Sequence, residues 1–308
     1  MTLNNSDQGV STVRNKITIM DGGLGAELKA MGAPFRKPEW SALALMGSPE
    51  SVRTAHQNFV DAGAEVLITN TYAICPFHIG RDVFDKRALE LTELATNIAR
   101  EVADNAPHSV AVAGCLPPVF GSYRPDLFDA ATAKDLYAPL IAGQKDKVDF
   151  WIAETMASTQ EASFVCEMLK TTDLPIWLAY TLSDELHDGE ACLRSGETVQ
   201  NAVKEALASN VNALLFNCSQ PEVMEAALKV ISDMNISIPF GVYANTFPKK
   251  PKQYLANDSS RKVEMREEIT PEVYLRFAKK WAACGATIIG GCCGIGPEHI
   301  KLLHALND

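Results

Sequence analysis

Eight short apolar runs rich in Val and Ile, most followed by a longer stretch of helical periodicity, limit what this chain can fold into. They are Ile17–Met20, Val66–Thr69, Val110–Ala113, Phe150–Ala153, Ile176–Tyr180, Ala213–Phe216, Ile238–Val242 and Thr287–Ile289. Near-continuous apolar strands alternating with helices are the pattern of a parallel sheet covered by helices. Eight βα units predict a closed barrel, and a (β/α)8 barrel of typically ~250 residues absorbs most of the 308-residue chain. The expectation is α/β, a single (β/α)8 TIM barrel over residues 16–308, with 1–15 a flexible N-terminal tail. An open doubly wound sheet is the competing architecture, because periodicity does not show whether the first and last strands pair.

Helix starts are legible at Ser48-Pro49-Glu50, Ser219-Gln220-Pro221-Glu222 and Thr270-Pro271-Glu272. Each places a hydroxyl before Pro and an acid in the first turn, so hydroxyl N-caps are expected. The stretch 246–268 is too polar and too long for an ordinary βα connection and reads as a long loop after the seventh strand. Trp151 and Trp177, inside apolar runs, are expected in the core.

The charge balance narrows the partners. Lys plus Arg number 28 against 38 Asp plus Glu, a net charge of −10 and a pI near 5.2. Such a surface repels phosphate backbones and anionic headgroups, so neither nucleic acid nor membrane is expected. Met1 to Lys16 lacks the apolar stretch of a signal peptide, and no apolar run approaches the ~20 residues that span a bilayer. A cytoplasmic chain is expected, its eight cysteines reduced unless a metal holds them. Small-molecule substrates are the expected partners, and the sequence leaves a homo-oligomer open.

In a βα barrel, catalytic groups collect at the carboxyl ends of the strands. The first run leads into Asp21-Gly22-Gly23-Leu24-Gly25, the second into Thr69-Asn70-Thr71-Tyr72 and the fourth into Glu154-Thr155. The sixth leads into Asn217-Cys218 and the eighth into Gly290-Gly291-Cys292-Cys293-Gly294. On a regular strand Cys292 and Cys293 would face opposite ways, but the flanking glycines free the backbone to bring them together. With Cys218 they would form three thiolates with an open fourth position, a catalytic zinc arrangement with Zn–S distances of about 2.3 Å. Small buried cysteines beside a tight turn are the alternative.

Gly22–Gly25 lacks the third glycine of a dinucleotide loop and no Gly-Lys-Ser/Thr follows, so no nucleotide is expected. The N–H groups of Gly22 and Gly23 could receive a small carboxylate. Asp21 and Glu154 could act as an acid/base pair, bind an ammonium or satisfy backbone donors. Tyr72, Phe77, Phe120 and Tyr123 could wall the site. The six histidines form no His-Glu-x-x-His, and most are expected on the surface or on helices.

Together, Asp21-Gly22-Gly23, Glu154-Thr155, Asn217-Cys218 and Gly290-Gly291-Cys292-Cys293-Gly294 resemble the homocysteine S-methyltransferase family, over about residues 15 to 306. The resemblance implies a (β/α)8 barrel, Zn2+ held by Cys218, Cys292 and Cys293, and homocysteine bound through sulfur. It implies that Asp21 and Glu154 hold the substrate's amino group and that Gly22 takes its carboxylate, with Asn217 and Tyr72 as further substrate-binding candidates. The expected activity is zinc-dependent methyl transfer from a sulfonium, S-methylmethionine or S-adenosylmethionine, to homocysteine, giving methionine.

Two features set the chain apart from parts of that family. With Asp308 immediately after the last barrel helix, neither the extension of betaine-dependent members nor the folate and cobalamin modules of large methionine synthases is expected. The segment Gly114–Pro125 differs from the usual glycine-led turn after the third strand. Betaine or a separate corrinoid protein are the alternative methyl sources. A non-catalytic zinc or redox-sensing barrel is the alternative of another class, and the acids at the strand ends argue against it.

Overall fold

The computed structural model describes residues 16–308 apart from Lys252, Arg261 and Val263. The expected tail, 1–15, lies outside the described residues. Eight strands form one parallel sheet: β1 (Thr18–Ile19), β2 (Val66–Ile68), β3 (Ala111–Leu116), β4 (Phe150–Met156), β5 (Ile176–Tyr180), β6 (Ala213–Asn217), β7 (Phe240–Ala244) and β8 (Ile288–Gly291). Their order is β1-β8-β7-β6-β5-β4-β3-β2, with β1 paired to β8.

The ring also closes between β1 and β2. Met20 bridges Val66, the Glu65 N–H donates to Ile19 O at 2.7 Å, and the Asp21 N–H donates to Val66 O at 2.9 Å. The chain is therefore a closed (β/α)8 barrel, and the open doubly wound alternative is excluded.

Two apolar layers hold it. The larger lies between helices and strands, with Phe59, Leu91, Tyr137, Trp151, Leu228 and Trp281 fully buried. The smaller fills the barrel interior, where Met20, Ala113, Ile152, Leu215 and Ile288 meet. Inward-pointing residues of successive strands stack there, so the interior is packed and leaves its chemistry for the strand ends. Trp151 is core as expected. Trp177 is half-buried at the interior's edge, against Phe150 at 4.1 Å between ring centroids.

Every expected strand exists, but several run further toward the site than their apolar runs suggest. β3 continues through Gly114, Cys115 and Leu116, and β4 takes in Glu154, Thr155 and Met156. Backbone pairing continues there although the side chains turn small or polar.

Of the three expected hydroxyl caps, only Thr270 accepts from its helix, from the Val273 N–H at 3.4 Å. Ser48 makes no side-chain cap. Gln220 holds the N-cap position before Pro221–Met234, and Ser219 Oγ instead accepts from the Leu182 N–H at 2.7 Å and donates to Asn217 O. No described helix is long and apolar enough to cross a membrane.

Candidate active site

The three cysteines singled out from the sequence converge at the carboxyl end of the barrel, their sulfurs all within 4.8 Å of one another. Cys218 follows β6 in a left-handed conformation, φ +50, and its N–H donates to Tyr243 O on β7. Cys292 and Cys293 stand just past β8 in a turn closed by the Ile295 N–H donating to Cys292 O at 3.0 Å. Gly294 carries the positive φ of that turn, +87, and a Cβ there would lie 1.8 Å from Thr246 Oγ1. Gly290 and Gly291 serve differently from the expected backbone freedom. They admit close packing, since a Cβ would meet Met20 Cβ at 2.6 Å or Ile295 Cγ2 at 2.2 Å.

One sulfur gathers the negative charge. Hydrogen bonds from Cys292 and Cys293, with Tyr123 and Asn245 adding to them against burial, hold the Cys218 thiol well below its usual range. Sharing protons with Cys218 pushes the other two thiols up. The Tyr123 hydroxyl lies 3.0 Å from both Cys218 Sγ and Cys218 O. Three all-sulfur donors fit a soft divalent cation, because three sulfurs each about 2.3 Å from one ion stand roughly 3.8 Å apart.

Asp21 and Glu154 line the same cavity as the sulfurs, and both are buried. Asp21 Oδ2 accepts from the Ile68 N–H at 2.9 Å, whereas its buried Oδ1 has no partner among the described residues. Burial raises the Asp21 carboxyl well above its usual value, and the nearby Glu154 adds to the shift. Glu154 Oε1 accepts from the Cys115 thiol at 3.0 Å, and Oε2 from the Tyr243 hydroxyl at 3.1 Å and Asn217 Nδ2 at 3.4 Å. Burial nonetheless pushes Glu154 up to about 7. An orphaned acceptor beside a carboxyl poised near neutrality is a setting that a bound ammonium would complete.

The backbone that aims Glu154 is irregular. β4 shifts register between Ala153 and Met156, and Thr155 takes φ +62, which for a β-branched residue costs of order 1–3 kcal/mol. Asn217 secures it: Oδ1 accepts from the Thr155 N–H and Nδ2 donates to Thr155 Oγ1, each at 2.9 Å. Asn217 is fully buried and lies behind the cavity wall, so it positions Thr155 and Glu154. Gly22 lines the cavity, but the Gly23 N–H is committed to Ile295 O at 2.8 Å.

The aromatic wall is composed differently from the expectation. Tyr72 and Tyr123 line the cavity, Tyr72 sharing a 2.7 Å hydrogen bond with Ser122. Phe77 packs against the bare backbone of Gly121, and Phe120 against the Phe128 ring, both off the cavity wall. Trp40, Phe247 and Tyr254 complete it, the last two from the long loop after β7. Trp40 Nε1 ties that loop to the barrel by donating to Ala256 O at 3.0 Å. Cys115 and Tyr243, which hold Glu154, were also outside the expected set, as was Tyr274, whose hydroxyl donates to Gly290 O at 2.6 Å beneath the cysteine turn. The six histidines supply no ligand to the sulfur group; of them, only His78 lines the cavity.

Comparison with known proteins agrees with this geometry. A family model described as homocysteine S-methyltransferase matches residues 18–306. Homocysteine S-methyltransferase 1 of Brassica oleracea var. italica is 27% identical, the match covering 92% of this chain and 91% of that one. A selenocysteine methyltransferase of Astragalus bisulcatus is 23% identical, over 94% and 92% of the two chains. Among solved structures, the metallated form of the homocysteine methyltransferase MmuM from Escherichia coli superposes with a TM-score of 0.75. It is 25% identical, covering 95% of this chain and 97% of that one. These matches set aside a non-catalytic barrel: the chain is an enzyme acting on small molecules, and it belongs to the homocysteine S-methyltransferase family.

Proposed function

We propose that this homocysteine methyltransferase takes its methyl group from a sulfonium, S-methylmethionine first and S-adenosylmethionine second, and that zinc held by Cys218, Cys292 and Cys293 is its cofactor. The observation that carries the reading is one cavity lined by three convergent sulfurs and two buried acids. Zinc bound there would supply a Lewis acid with an open position, at which a coordinating thiol is deprotonated without a general base.

The chain's own residues do the rest. Asp21 Oδ1 and the Glu154 carboxylate receive the substrate ammonium, and the Gly22 backbone takes its carboxylate. Asn217, Cys115 and Tyr243 fix the Glu154 carboxyl, so substrate binding orders little that is not already ordered. Tyr72, Tyr123 and the rim of Trp40, Phe247 and Tyr254 shield the reacting sulfur from water and offer ring faces to a cationic donor. A sulfonium leaves as a neutral thioether, so no acid is needed for departure.

The test supplies zinc-loaded protein and homocysteine with S-methylmethionine, S-adenosylmethionine or betaine, separately and without corrinoid. Methionine from a sulfonium is expected. Turnover only after a methyl-corrinoid protein is added would overturn the donor assignment.

A further inference from the structure

The loop after β7 brings to the site a charge that methyl transfer does not itself require. Lys250 Nζ lies 4.2 Å from the centroid of the Phe247 ring and 4.8 Å from that of Tyr254. Both rings line the cavity, and Tyr254 packs in the cluster that contains Cys218. Among the described residues no carboxylate pairs with this ammonium. The nearby Asp184 is engaged elsewhere, taking the Lys250 backbone N–H at 2.9 Å and Arg194 Nη2 at 2.8 Å.

Lys37 Nζ also stands over Tyr254, at 5.6 Å, and over Trp40, at 5.7 Å. Two ammonium groups therefore share the rim through which a cationic donor must pass. A bare onium meets like charge there, whereas an onium with its own negative group meets a half-buried ammonium that faces Asp184 and the Cys218 and Cys293 sulfurs but is paired with no carboxylate among the described residues.

We propose that Lys250 receives a carboxylate carried by the methyl donor, so that this chain selects carboxylate-bearing oniums over bare ones. The inference rests on the sulfonium reading above. In the transfer, the homocysteine sulfur forms the new C–S bond with its lone pair. The old S–CH3 bond breaks with its pair left on the departing thioether, thiolate and sulfonium charges cancel, and no proton moves. Homocysteine offers a carboxylate too, but its amino-acid end is assigned to β1 and β4, while Lys250 approaches from the loop after β7.

Dimethylsulfonioacetate and trimethylsulfonium differ by one carboxylate, and S-methylmethionine serves as reference donor. Each is assayed with zinc-loaded wild type, Lys250→Met and Lys250→Arg. A charge-assisted contact predicts that Lys250→Met lowers the kcat/KM ratio of dimethylsulfonioacetate to trimethylsulfonium by about 10-fold or more, through donor KM. Lys250→Arg should restore most of the ratio, and the homocysteine KM should move less than about 2-fold in both variants. An unchanged ratio in Lys250→Met, or a rise confined to the homocysteine KM, overturns the role of Lys250 while leaving sulfonium transfer standing. No methionine from any sulfonium in wild type overturns both.

Discussion

Replacing Glu154 by Gln should make the free protein more stable above neutral pH while weakening its hold on homocysteine. Burial raises this carboxyl from 4.5 to about 7. Below pH 4.5 it is protonated in folded and unfolded chains alike and its charge costs nothing. Between 4.5 and 7 the unfolded chain gives up the proton first, so stability falls as pH rises, and above 7 the full cost of about 3 kcal/mol applies. Gln has nearly the same shape and no charge. Its amide oxygen can accept from Tyr243 and Asn217, while its NH2 turns toward Cys115 and loses one acceptor, at about 1 kcal/mol. The net gain is about 2 kcal/mol above pH 7 and a small loss near pH 5. At about 2 °C per kcal/mol for a chain of this size, Tm should rise by about 4 °C at pH 8 and fall slightly at pH 5. The homocysteine KM should rise by about 10- to 150-fold as the ammonium loses a charged partner. Thermal unfolding of metal-free protein at the two pH values, with steady-state kinetics of the zinc form, measures both. A Glu154→Gln shift of the same sign at pH 5 and pH 8, or an unchanged homocysteine KM, would refute the reasoning.

Three further outcomes are expected. Cys218→Ala, Cys292→Ala and Cys293→Ala should each lose bound zinc and methionine formation together, and metal analysis showing full zinc occupancy in all three would reject the sulfur site. Gly22→Ala should destabilise the fold by at least about 3 kcal/mol, read as denaturant midpoint, because its Cβ would lie 2.3 Å from Ile295 O and 2.7 Å from the Phe59 ring. His56 is fully buried with neither ring nitrogen partnered among the described residues, and burial lowers it to about 4. The unfolded chain binds the proton first as pH falls from 6.5 to 4, so up to about 3 kcal/mol of stability is lost across that window. His56→Met should flatten it, and an equal acid loss in the variant would contradict this assignment.

What the sequence shows and what it hides follow one physical line. The strand interiors are legible because burial demands apolar side chains, and Ile176–Tyr180 is found with its ends unchanged. The carboxyl ends are blurred because there the chain exchanges apolar residues for Gly, Cys, Glu, Thr and Asn while backbone pairing continues, as in β3 and β4. The convergence of the sulfurs is legible as one of two readings, since a Cys pair among glycines and an Asn-Cys at another strand end fit either a metal site or small buried cysteines, and the family resemblance favours the first. The support of Glu154 is not legible, because Cys115 and Tyr243 lie 39 and 89 residues away and reach it only through barrel register. The rim was misjudged for a similar reason. Trp40 precedes the first long helix and Tyr254 sits in a polar stretch, so neither carries a local signal, whereas Phe77 and Phe120 look available until Gly121 and Phe128 cover them.

Asp21 stands where the two ends of the barrel meet: its N–H donates to Val66 O of β2, and its carbonyl accepts from the Gly291 N–H of β8. The residue assigned to the substrate is thus also the stitch that joins first strand to last. Of the three sulfurs, two follow β8 and one follows β6. A chain with only the first seven of the strands has a single one of these thiols and an open seam, so it can neither assemble the three-sulfur site nor join Asp21 to Gly291. Pairing of β8 with β1 and assembly of the three-sulfur site are therefore one event.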